Sequence, residues 1–187
     1  FQYMYFTIQG VQEIMDNNRF VRYVSVYQNW LRDAGASFDH LHKQLVALDR
    51  WGDYLDRVFD KTAASPHLYN EYAVNFACDN NLVIAENDHA IALIDIGQPY
   101  PTVAIYSKSV HCHPWDHTTE EIRGMSDLVH AIHMALGAEC SCNEEWYYMP
   151  FDGTIPIPWH ILIKWRANVL AGLEGGTQFY IVPLSLL

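Results

Sequence analysis

The chain has 187 residues, 11 Lys or Arg against 22 Asp or Glu, a formal net charge of -11, and half of its residues are hydrophobic. That composition supports a packed core and excludes disorder. The acidic balance excludes general nucleic-acid binding, because polyanions are repelled wherever local donors do not overcome the field.

Phe1 to Asn18 reads as a helix already under way, with no cap before it, so an amino-terminal portion is expected upstream. Arg22 to Tyr27 alternates and is rich in β-branched and aromatic residues, which predicts a strand. Asn29 to Ser37 is expected to be a loop around Gly35, Phe38 to Leu48 a second strand paired antiparallel with the first, Trp51 to Lys61 a helix, and Thr62 to Pro66 a mobile connection. A second unit begins near Leu68. It holds a helix over Glu71 to Cys78, then strands over Leu82 to Glu86, Ala90 to Ile94 and Thr102 to Ser107. The helix Thr118 to Leu136 carries Ile122, Met125, Leu128, Val129, Ile132 and Leu136 as its apolar stripe. Thr118 or Thr119 caps it and Gly137 ends it. Strands over Glu145 to Met149 and Trp159 to Trp165, a Gly-rich loop over Gly172 to Gly176 and a last strand over Gln178 to Val182 complete the order. Strands, one long helix and strands again predict an α+β fold with a mostly antiparallel sheet and helices packed on it.

No apolar run approaches the roughly 20 residues that span a bilayer, so no membrane partner is expected. Phe1 to Gly10 has no basic and apolar segments of a signal peptide. The cysteines at 78, 112, 140 and 142 are not spaced as a disulfide framework. Together these predict a reduced, cytoplasmic protein.

The chemistry concentrates in Gly35-Ala36-Ser37-Phe38-Asp39-His40-Leu41-His42-Lys43-Gln44. On a strand, His40, His42 and Gln44 share one face, and Lys43 points to the other. Three hydrogen-bonding groups in a row are poor core material. Two imidazoles and an amide suit the holding and attack of a phosphate. A neutral imidazole is a nucleophile near pH 7, the amide donates to phosphate oxygens without adding charge, and the small residues around Ser37 let backbone amides approach an anion. A strand of satisfied histidines under a loop is the competing reading. Gln44 in phase, with Gly35 and Ser37 upstream, favours the functional one.

Tyr27-Gln28-Asn29 followed by Gly35 to Gln44 resembles the active-site region of galactose-1-phosphate uridylyltransferases, members of the histidine triad superfamily. Their motif is His-Pro-His-Gly-Gln after a Gly-x-Ser step and an upstream Asn. The resemblance implies that His42 is the nucleophile that carries the nucleotide and that Gln44 stabilises the intermediate. It also implies that Ser37, Gly35 and Asn29 bind substrate. His40 corresponds to a zinc ligand of some members, so zinc is the one cofactor implied for the intact protein. Leu41 replaces the Pro and Lys43 the Gly, which points to a divergent branch. Glu174 to Tyr180 resembles the segment that contacts the sugar phosphate, making Gln178 a further substrate-binding candidate. By the same resemblance, residues 1–66 are the end of a first histidine-triad-like half and 67–187 a second. The partners implied are a nucleotide sugar and a sugar 1-phosphate, with a homodimer.

The resemblance implies a nucleotidyltransferase moving a nucleoside monophosphate, UMP by this comparison, between sugar 1-phosphates. A dinucleotide phosphorylase or hydrolase, a non-catalytic nucleotide-binding protein and a structural domain of a larger assembly are the alternatives. Other features read as structural. The paired Cys-x-x-Cys of the family's first zinc site has no counterpart here. Of a second metal site only His160 matches, with Asp152 and Leu162 where histidines are expected. His111, Cys112, His113 and His117 read as a solvated loop cluster, Cys140 and Cys142 as reduced thiols, and Tyr147, Tyr148, Trp159 and Trp165 as core.

Overall fold

Half-buried and buried strands of this composition must be covered on both faces, and the chain meets that need with one sheet between helices. The computed structural model describes residues 1–38, 40–166, 172–177 and 179. In chain order these form α1 (Gln2–Asn17), β1 (Tyr23–Trp30), a 3-10 turn Arg32–Ala34, β2 (Gln44–Leu48) and α2 (Asp53–Ala64). A π-helical turn Asn70–Asn75 runs into α3 (Phe76–Asp79), followed by β3 (Val83–Glu86), β4 (Ala90–Asp95) and β5 (Thr102–Ser107). Then come α4 (Thr119–Leu136), β6 (Cys142–Tyr147), β7 (His160–Trp165) and α5 (Gly172–Thr177).

The seven strands form a single sheet in the order β2-β1-β6-β7-β5-β4-β3, and every pairing is antiparallel. Strands β6 and β7, which follow α4, insert between β1 and β5, so elements from both sides of residue 66 share the sheet. One face carries Val24, Val26, Val103, Ile105, Ile161 and Ile163 against Met4, Ile8 and Val11 of α1 and Met125 and Val129 of α4. The other face packs Ile91, Leu93, Ala104, Tyr106 and Leu162 with Ala77 of α3. Helix α4 starts in a reciprocal cap: Glu121 N–H donates to the Thr118 hydroxyl at 3.3 Å, and Thr118 N–H donates to the Glu121 carboxylate at 2.7 Å. Gly137, at φ 81, ends it.

Several boundaries differ from those expected. Strand β1 continues through Trp30 because β6 pairs with it up to Cys142. The second strand begins at Gln44 rather than Phe38. Helix α2 runs on through the expected mobile connection to Ala64. Strand β6 spans Cys142–Tyr147, three residues earlier at its start than the aromatic run suggests. Gly172 to Gly176, expected as a loop, belongs to α5 despite the weak helix preference of glycine. The expected strand Gln178 to Val182 lies outside the described residues apart from Phe179, which is irregular.

Candidate active site

Strand register builds the site. Tyr27 of β1 stands across from Gln44 of β2 and Glu145 of β6, so all three project from one sheet face. The Tyr27 hydroxyl donates to Gln44 Oε1 at 3.2 Å. That bond uses the acceptor end of the amide and leaves the Nε2 donors for an anion. The β1–β2 ladder stops at this pair. His42 therefore sits just before β2, in an extended segment without strand pairing.

His42 Nδ1 lies 2.7 Å from the His40 carbonyl oxygen. A carbonyl only accepts, so Nδ1 carries the proton, and in the neutral ring Nε2 keeps its lone pair. The ring is half-buried and packs against other rings: Phe38 at 4.8 Å and His40 at 5.8 Å between centroids. His160 repeats the geometry, with Nδ1 2.8 Å from the carbonyl of Pro158, two residues back. Its ring, however, is buried and stacked between Tyr106 and Tyr147, and burial lowers its pKa to about 4. The two histidines thus share a local design, but of the pair only His42 is partly open.

Upstream, the chain reverses through Gly35 at φ 85, a left-handed conformation that favours glycine. A side chain there would approach Asn29 Nδ2 at 4.0 Å. Asn143 of β6 ties this region together, since its Nδ2 donates both to Asn29 Oδ1 and to the Ala34 carbonyl, each at 2.8 Å. Ser37 and His40 are exposed on the segment that follows. Among the described residues no three His, Cys, Asp or Glu side chains gather as metal ligands. Gln178 lies outside the described residues. Sequence reasoning missed Tyr27 as the partner of Gln44, and it missed Asn143. Tyr27 was accessible from the strand alternation, whereas Asn143 comes from a strand 114 residues away from Asn29.

Lys43 points to the opposite face, as the alternation requires. Its ammonium pairs with the Glu144 carboxylate, and the two side chains are only 5% and 3% exposed. His133 Nε2 lies 2.9 Å from Glu144, and Trp146 Nε1 donates to it at 2.6 Å. Burial alone would raise the Glu144 pKa, but the Lys43 ammonium and the His133 donor hold it well below the usual carboxylate range.

On the Tyr27 face a cavity of about 420 Å³ opens between β1, β6 and the start of α2, with Ser25, Tyr27, Asn29, Trp51, Tyr54 and Glu145 in its lining. Its size suits a small ligand. Gln44 is joined to this cavity through Tyr27, and neither Gln44 nor His42 is part of its wall. The second histidine cluster is less solvated than expected. His111 is exposed, but His113 stacks on Trp115 and His117 is buried, with Nε2 2.8 Å from Ser107 Oγ and Nδ1 2.8 Å from the His113 carbonyl. These contacts lock the loop before α4.

A family model described as a domain of unknown function, DUF4921, matches residues 1–186. A search of the curated proteins finds no match. Among solved structures, a galactose-1-phosphate uridylyltransferase-like protein of Arabidopsis thaliana superposes with a TM-score of 0.85 at 20% identity, over 98% of this chain and 64% of its own. An ADP-glucose phosphorylase from Arabidopsis thaliana with bound ADP-glucose gives 0.83 at 19%, over 98% of this chain and 62% of its own. A uridylyltransferase gives 0.77 at 17%, over 98% and 64%. The chain spans less than two thirds of these structures, and the likeness establishes the expected α+β, uridylyltransferase-like fold. None of the helices among the described residues is long and apolar enough to cross a membrane.

Proposed function

For a chain that belongs to the DUF4921 family and is built on the uridylyltransferase-like fold, we propose that it is a nucleotidyltransferase that passes a nucleoside monophosphate through His42. The observation that carries this reading is the bond from His42 Nδ1–H to the His40 carbonyl, which presents Nε2 as the nucleophilic nitrogen. Nε2 attacks the α-phosphorus of a nucleotide sugar. A P–N bond forms, the bond to the β-phosphate oxygen breaks, and sugar 1-phosphate leaves with the electron pair. An acceptor phosphate oxygen then attacks the same phosphorus, the P–N bond breaks, and the electron pair returns to Nε2. Each displacement spreads charge over the equatorial oxygens. In this reading the amide donors of Gln44, left free by Tyr27, and the groups around Gly35 and Ser37 meet that charge. Asn29 and Gln178 are proposed to bind the substrate, and His40 to serve as a zinc ligand only if groups beyond the described residues complete the site.

The acceptor separates two forms of the reaction. UDP-glucose with galactose 1-phosphate is the transferase pairing. The likeness to an ADP-glucose phosphorylase favours testing ADP-glucose with inorganic phosphate alongside it. Release of glucose 1-phosphate that goes beyond one equivalent only when an acceptor is present, in either pairing, is expected from the wild type and absent from His42→Asn. Equal release by His42→Asn would remove His42 from the reaction.

A further inference from the structure

The segment that presents His42 has no ladder bonds, yet the ring must hold one orientation to be a useful nucleophile. Lys43, the next residue, is anchored more firmly than its neighbours. Its ammonium pairs with Glu144 of β6 and lies 5.2 Å from the Tyr3 ring of α1 and 5.3 Å from the Trp146 ring of β6. Glu144 in turn takes His133 of α4 and the Trp146 indole. One side chain therefore gathers three elements on the sheet face opposite Tyr27. Successive residues in an extended chain point to opposite faces. Fixing Lys43 downward through the sheet aims His42 and Gln44 upward together. The family pattern to which this motif is similar has glycine at that place, where no such anchor can form.

We infer that Lys43 is a positioning residue: its buried pairing with Glu144 orients His42 and Gln44 for phosphoryl attack. This rests on the nucleotidyl-transfer reading for its kinetic consequence, though not for its structural one.

Wild type, Lys43→Met, Lys43→Arg and the double variant Lys43→Met/Glu144→Gln separate positioning from folding. Lys43→Met leaves Glu144 buried without its cation, so both stability and rate fall. In the double variant the unpaired charge is gone, and the thermal midpoint recovers toward wild type. The rate of nucleotidyl attachment to His42 at saturating ADP-glucose or UDP-glucose is expected to stay about tenfold to a hundredfold low, the penalty for a small misplacement of a reacting group. Lys43→Arg, which keeps the cation, regains part of it. A double variant that is stable and labels at the wild-type rate overturns the inference.

Ring nitrogen chemical shifts of His42 in ¹⁵N-histidine protein supply the second readout. The wild type should show the Nδ1-protonated neutral tautomer, and the double variant a mixture. If the wild type takes no label from either nucleotide sugar, the transfer reading fails, and these shifts still decide the positioning claim. An unchanged single tautomer in the double variant overturns it.

Discussion

At the residue scale, position 42 combines a proton fixed on Nδ1 with a ring that is only half-buried. The His40 carbonyl holds that proton on Nδ1, and Tyr27 does the equivalent service for Gln44 by occupying its oxygen. Tyr27→Phe should therefore leave the fold intact and let the amide turn over. Losing one hydrogen bond of about 1 kcal/mol corresponds to a several-fold fall in transfer rate, measured under saturating nucleotide sugar. A rate equal to wild type would mean that Gln44 is oriented by something else. Gln44→Leu should cost more, because it removes the donors themselves. The histidine-rich motif was readable from its spacing alone, whereas the strand that would have put His40 and His42 on one face with Gln44 begins only at Gln44. The fixing partners Asn143 and Glu144 were not readable, since each sits on β6, a strand whose place beside β1 is a long-range choice.

At the scale of elements, helix α4 illustrates how local rules and close packing divide the work. Thr118→Ala removes one half of a reciprocal cap and should lower stability by about 1 kcal/mol, read as a shift of the urea midpoint with unchanged slope. Gly124 tests the opposite balance. In an exposed helix Gly→Ala would gain about 1 kcal/mol. Here an added methyl would stand 2.7 Å from the His89 Cβ and 3.0 Å from Asn87 Oδ1. Asn87 cannot easily give way, because its Oδ1 accepts from the His89 and Ala90 amides and its Nδ2 donates to the Gly124 carbonyl. Gly124→Ala should thus destabilise the protein, and a raised thermal midpoint would show that this packing yields. Helix α4 was legible because its cap, stripe and stop are all local signals. The ends of β1 and β6 were not, because Asn29–Trp30 pair with Cys142–Asn143, which in turn pair with Lys164–Trp165 of β7, all distant in the chain. Glycines likewise concealed α5, in which Glu174 is buried.

Over the whole molecule, two histidines, one just before β2 and one at the start of β7, make the same ring-to-carbonyl bond and meet opposite fates. His42 stays partly open, whereas His160 is sealed among tyrosines. The sealed ring makes stability depend on pH. Unfolded, it takes a proton near its ordinary value of 6.5, but folded only near 4. Between those values the unfolded chain binds the extra proton, so stability is full above about 6.5 and falls as pH drops toward 4, by an amount on the order of 3 kcal/mol. Buried His117, also shifted downward, mainly by burial, acts in the same direction. Thermal midpoints of wild type and His160→Phe across that window should converge in acid, with the variant's profile flatter. Parallel profiles would exclude His160 as a source. The order of strands around one long helix made the fold class readable, while the insertion of β6 and β7 between β1 and β5 is a long-range choice that periodicity does not encode. The most direct test of the whole reading is the mass of the His42 peptide after brief incubation with ADP-glucose or UDP-glucose. A nucleoside monophosphate adduct on His42, discharged by acid and by an acceptor phosphate, is expected. An unmodified His42 peptide alongside turnover, or an adduct on another residue, would contradict it.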